Sequence, residues 1–109
     1  MKIVELDSSL NVYVGQTAAE NWLLIDKYKN DNYLWFHLSS FPSCHVFVEN
    51  IDISNTDIIK IANICKENTK YRAAKNIKVD YTAMNNIKKG GDVGSVIFKS
   101  SRKVNTIKI

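Results

Sequence analysis

No stretch of this 109-residue chain approaches the roughly 20 consecutive apolar residues that span a bilayer as a helix. The opening MKIVELDSSLN lacks the apolar core of a secretory signal, so the expected location is cytoplasmic. No segment repeats at a fixed period and none is of low complexity, which argues against a solenoid and against a disordered chain. Pro42 is the sole proline. Only two cysteines occur, Cys44 and Cys65, too few for a disulfide scaffold. With no secretion signal they are expected as reduced thiols acting as small apolar side chains. Acid is scarce late in the chain: after Thr69 only Asp80 and Asp92 are negative.

Apolar residues make up 45% and charged residues 24%, a balance that suits one soluble domain over residues 1–109 with a single core. Charge is distributed unevenly. Residues 1–69 carry five lysines against nine carboxylates, a net −4. Residues 70–109 carry ten Lys or Arg against two, a net +8. A fold that kept this asymmetry on its surface would attract a polyanion, although a lysine-rich solvated face has the same composition.

Hydrophobic patterning sets the expected elements. KIVEL and NVYVG read as strands around the turn DSSL, with Gly15 supplying an unusual backbone angle at the exit. Thr17 and Glu20 have capping-box spacing for a helix to Tyr28, with Ala18, Trp22, Leu23 and Ile25 inward. LWFHL and HVFVE form a central antiparallel pair across SSFPSC. Placing Leu38 opposite His45 puts Trp35 and His37 on one face with Val46 and Val48, and His45 on the other. Ser54 to Asp57 caps a second helix to about Lys70, with Ile58, Ile61, Ala62 and Cys65 as its stripe. NIKVDYT alternates, setting Ile77, Val79 and Tyr81 against Lys78, Asp80 and Thr82. AMNNIKKGGD is a connection, and GSVIFKS pairs with KVNTIKI around SSR. The order ββαββαβββ predicts an α+β domain, two helices packed on a mostly antiparallel or mixed sheet.

Candidate chemistry divides several ways. His37, Cys44, His45 and Cys65 are metal-ligating types, yet H-x6-C-H-x19-C matches no zinc spacing, and adjacent strand residues face opposite ways. No metal or cofactor is expected. A Cys–His nucleophile would need an orienting group and an oxyanion hole, and no motif marks either, so no catalytic residue is assigned. KKGGDVG has phosphate-loop composition without phosphate-loop order. Nucleic-acid binding draws more features together. Lys70, Arg72, Lys75 and Lys78 leave the second helix, and Lys88 and Lys89 precede the glycines. Tyr71 and Tyr81 lie among them for stacking, or are half-buried as such residues usually are.

Several segments, taken in order, resemble the NFACT-R domain family: YVG(x)5N, LWFH, PSCHV, IANICKENTKYR, VDYT and IKKGGDVGSVIF. The resemblance runs from about Asn11 to the C-terminus. It implies an α+β nucleic-acid-binding module standing alone, without the further domains that accompany it in ribosome quality-control factors. Such factors bind tRNA and the large ribosomal subunit. RNA, tRNA or rRNA, is therefore the expected partner, with DNA and the large ribosomal subunit as further candidates. Docking of the basic face on acidic protein or a ribosomal surface is the alternative. Lys70, Arg72, Lys75, Lys78, Lys88 and Lys89 are the candidate phosphate ligands, and His37, Ser43, His45 and Thr82 the candidate polar contacts. Two positions depart from the family pattern: Tyr33 stands where an acidic residue is common, and Cys44 where glycine or serine precedes the second histidine.

Overall fold

The computed structural model describes residues 1–7 and 10–109. Ser8 and Ser9 of the DSSL turn lie outside the described residues. The elements are Lys2–Asp7 (β1), Leu10–Gly15 (β2), Ala18–Tyr28 (α1), Tyr33–Leu38 (β3), His45–Glu49 (β4), Asn55–Glu67 (α2), Lys78–Ala83 (β5), Ile87–Lys89 (β6), Val96–Phe98 (β7) and Asn105–Lys108 (β8). Six strands form one sheet in the order β1-β2-β4-β3-β5-β8, and every neighbouring pair is antiparallel. β6 and β7 form a separate hairpin. The α+β expectation holds.

The central strands are covered on both faces, which is why they read as continuous apolar runs. On one face Phe36, Leu38, Val46, Val48 and Val79 pack on Ile58, Ile61, Ala62 and Cys65 of α2. On the other, Trp35 and Phe47 pack on Leu24, Ile25 and Tyr28 of α1 and on Met84 and Ile87. α2 starts where expected: Ser54 accepts from the Asp57 amide, and the Asp57 carboxylate accepts from the Ser54 amide. It ends at Glu67, short of Lys70, where Asn68 donates to the Ile64 carbonyl.

Four expectations are corrected. The β3–β4 register is one residue away from the expected one: Trp35 faces Phe47 and Phe36 faces Val46. Because the pleat repeats every two residues, that slip moves every side chain of one strand to the other face. The inward stripe of α1 is Asn21, Leu24, Ile25 and Tyr28, while Leu23 is 68% exposed. These positions follow i, i+3, i+4, i+7; the polar residue heading the stripe hid it from hydrophobicity alone. β7 pairs with β6, and β8 crosses to the free edge of β5. The crossing is fastened by Asn86, whose amide donates to the Ser100 carbonyl and accepts from the Ser100 amide. Gly15 is needed for closeness and not for a positive φ: a Cβ there would lie 2.0 Å from Asn21 Oδ1.

Candidate nucleic-acid interface

Antiparallel pairing sorts charge along the strand axis. Lys2 pairs with Val14, Gly15 with His45, Leu38 with Val79, and Lys78 with Lys108. These pairs mark one end of the sheet. α2 delivers the chain to that end, so the segment carrying Lys70, Arg72 and Lys75 lies there too. The Phe41 ring lies 4.6 Å from that of Tyr71, and the Ser39 amide donates to the Lys78 carbonyl, which joins this segment and β5 to the β3–β4 loop. The opposite end holds Glu5, Asp31, Glu49, Asp52 and Asp57, together with Lys27 and Lys29 at the end of α1. The basic end also contains carboxylates. Two of them are engaged: Glu20 by the N-terminal amine and the Gln16 amide, and Asp80 by the Thr106 hydroxyl. The hydrogen bond from the N-terminal amine, then that from Gln16, holds Glu20 below the usual carboxylate range. Among the described residues, neither ion pair involves Lys2, Lys70, Arg72, Lys75, Lys78 or Lys108.

A cleft of about 710 Å³ opens at this end. Its walls come from the segments singled out by the sequence. Thr17, the N-cap of α1, and Asn21 of α1 line it, with His37 from β3, Ser43 to His45 from the entry to β4, Lys70 from the α2–β5 segment, and Gly94 and Ser95 from the hairpin turn. The hairpin is held against α1 by the Trp22 indole N–H donating to the Ser95 carbonyl at 2.9 Å. Gly94, at φ 89°, brings its backbone against Ala18, where a Cβ would sit 2.7 Å from the Ala18 Cβ. The Thr17 hydroxyl accepts from the Glu20 amide, so the start of α1 is locally capped.

The two histidines meet on the Trp35 face. Trp35 Nε1 donates to His45 Nδ1 at 3.0 Å. The His37 ring stacks parallel to Trp35, and the two imidazoles meet edge to face with centroids 4.9 Å apart. His45 is 2% exposed. Burial first, and then the neighbouring His37, pushes its pKa down to about 3, so it is neutral in the physiological range. Burial also lowers His37, opposed by its hydrogen bond to the Leu38 carbonyl. That bond, 2.6 Å long, requires the proton on Nδ1 and leaves Nε2 as an acceptor. The Ser43 hydroxyl accepts from the Leu38 amide and donates to the Cys44 carbonyl, fixing the loop. Cys44 packs toward α2, where its thiol donates to the Cys65 carbonyl at 3.5 Å, on the sheet face opposite to His45. Both cysteines are free thiols.

The ten sequence-selected residues divide. Lys70, His37, Ser43 and His45 share the cleft. Arg72, Lys75 and Lys78 are exposed at the same end. Lys88 and Lys89 lie elsewhere, with Lys99 beside the C-terminal half of α1, and Lys89 is paired with Asp26 at 2.8 Å. Thr82 is buried, its hydroxyl donating to the Lys103 carbonyl and accepting from Asn86, so it serves the interior. Lys2 and Lys108 were missed because charge was counted by segment; only strand pairing brings both chain ends here. Asn21, the last residue of YVG(x)5N, is buried, a position that its polar side chain does not signal in the sequence. Tyr33 stacks on Tyr28 at the far end of β3, remote from both histidines. Among the described residues no helix is long and apolar enough to cross a membrane.

Comparison with known proteins gives concordant results. A family model described as the NFACT protein RNA binding domain matches residues 3–100. The Rqc2 homolog RqcH of Bacillus subtilis is 26% identical over 106 residues, covering 95% of this chain and 19% of that protein. Coiled-coil domain-containing protein 25 of Bos taurus is 31% identical over 111 residues, covering 94% of this chain and 53% of its own length. The chain thus spans about a fifth and about half of these curated relatives. A solved structure, the C-terminal part of the fibronectin/fibrinogen-binding protein from Streptococcus suis, superposes with a TM-score of 0.84 at 24% identity. It covers 98% of this chain and 43% of that one, a likeness of fold.

Proposed function

The chain belongs to the NFACT RNA-binding-domain family, and from that membership we propose that it is a non-catalytic module that holds RNA at the basic end of its sheet. The supporting observation is the set Lys70, Arg72, Lys75 and Lys78, none of them ion-paired among the described residues, beside a cleft lined by polar groups. Each phosphate neutralised there releases counterions, so affinity is electrostatic in origin and salt-sensitive. The similarity to the Rqc2 homolog supports a place in ribosome quality control, and we take tRNA or rRNA as the ligand and the cytoplasm as the setting. Lys88 and Lys89 extend the contact along a second face.

An electrophoretic shift with purified protein and tRNA tests this. The wild type retards tRNA at low salt. The variant Lys70→Gln/Arg72→Gln/Lys75→Gln/Lys78→Gln, folded by circular dichroism, retards it far less. A wild type that leaves tRNA and rRNA fragments unshifted at low salt overturns the proposal.

A further inference from the structure

The sheet end that carries the cations also presents an aromatic ring to solvent. Of the four phenylalanines, Phe36 and Phe47 are fully buried and Phe98 is half-buried, whereas Phe41 in the β3–β4 loop is 39% exposed. Phenylalanine is normally an interior residue. Its presentation is fixed by the backbone: Ser40 just before it has φ 67°, a left-handed conformation that costs a residue with a Cβ, and Pro42 follows. The Phe41 ring packs on Tyr71, and Lys70 Nζ lies 5.5 Å from the Tyr71 centroid. The Ser39 amide ties the same loop to Lys78 through its carbonyl. The ring therefore stands between the two cation-bearing segments. It also lines a recess of about 400 Å³ with Pro42, His37, Val96 and Phe98, next to the larger cleft. Asp80 lines that recess too, its carboxylate accepting from Thr106.

Cations alone suit any polyanion. An exposed ring among them suits a polyanion that carries flat apolar faces, and a duplex hides those faces in its own stack. We propose that Phe41 is a stacking platform for one unpaired base of the bound RNA, with the flanking phosphates on Lys70, Arg72 and Lys78. The base lies on the ring at the mouth of the recess, where the Asp80 carboxylate turns phosphate away and leaves the space to a neutral group. Tyr71 braces the platform from behind. Tyr81 takes no part, because it stacks on Phe36 of the core at 5.2 Å. Stacking reads no base edge, so the site accepts any base. The inference rests on the RNA-binding reading and deepens it, since it makes the ligand at this end single-stranded.

The test compares oligo(rU) with a strand of equal length and charge in which abasic spacers replace the nucleosides, by fluorescence anisotropy at low salt. The wild type binds oligo(rU) more tightly by about tenfold, within the range that one stacked base contributes. Phe41→Leu keeps an apolar side chain and removes the ring. It loses this preference, yet holds the abasic strand as the wild type does and with the same salt slope, while Phe41→Trp keeps the preference. Equal affinity of the wild type for the two strands overturns the inference and leaves the RNA-binding reading intact. So does a preference that survives in folded Phe41→Leu. A Phe41→Leu variant that loses affinity equally for both strands also overturns it, since the ring then supports the basic surface and not a base. Sedimentation that finds wild-type dimers abolished by Phe41→Leu overturns it as well, a second copy then covering the ring. Failure of the wild type to bind either strand or tRNA overturns both readings.

Discussion

Acidification tests the histidine pair directly. His45 has a folded-state pKa of about 3 against an ordinary 6.5, because its ring is buried beneath Trp35 and beside His37. A depressed histidine pKa means that the unfolded chain takes up a proton that the folded chain refuses. Stability is therefore complete above about pH 6.5 and declines as pH falls toward 3. At about 1.4 kcal/mol per pH unit, His45 alone removes about 2 kcal/mol between pH 7 and 5 and about 5 kcal/mol at the acid limit. His37 is lowered too and adds in the same direction. The upper window is the informative one, since carboxylates are still mostly ionised at pH 5. Urea unfolding at pH 7, 6 and 5 should show this loss, a large part of the stability of a domain this size. His45→Asn keeps an acceptor for the Trp35 indole and removes the titration, so it should flatten the profile even if it is less stable at pH 7. Equal wild-type stability at pH 7 and 5, or an unchanged slope in His45→Asn, would refute the reasoning.

Other outcomes follow from packing. Gly15→Ala should cost about 1–3 kcal/mol, since its Cβ collides with Asn21 and crowds Leu24, and a second substitution Asn21→Ala should restore part of the loss in thermal unfolding. Asn86→Ala removes three side-chain hydrogen bonds at the β5–β8 crossing and should cost about 2–4 kcal/mol, with amide exchange accelerating at Ser100 to Val104; normal protection there would contradict the assigned role. Cys65 holds the Cys44 thiol below its ordinary range by a hydrogen bond, while that same contact and burial push Cys65 up. Mass spectrometry after iodoacetamide should therefore find Cys44 alkylated first and Cys65 only after unfolding.

Much of the fold was legible because local signals agreed with it. Ser54 and Asp57 announced α2, and its stripe Ile58, Ile61, Ala62 and Cys65 is the face that packs. What failed depended on distant partners. The β3–β4 register turns on the geometry of the loop between Leu38 and His45, and one step decides whether the two histidines share a face. They do, which makes them one unit with Trp35 and not two separate candidates. β8 reached β5 because buried Asn86 pins Ser100, a tertiary bond with no hydrophobic signature. The cations Lys70, Arg72, Lys75 and Lys78 were legible as a group since they are close in sequence. Lys89 was not separable from them until its pairing with Asp26 was seen. Thr82 looked like a surface hydroxyl by alternation, but the 99–103 segment covers it.

The salt dependence of RNA binding bears most directly on the claim that the basic end of the sheet is the docking surface. With about four to six phosphates neutralised, log affinity should fall with log salt at a slope of about −3 to −5. Neutralising Lys70, Arg72, Lys75 and Lys78 together should flatten that slope by about 3, and neutralising Lys88 and Lys89 should change it less. A slope unmoved by the first set, or moved more by the second, would contradict the account.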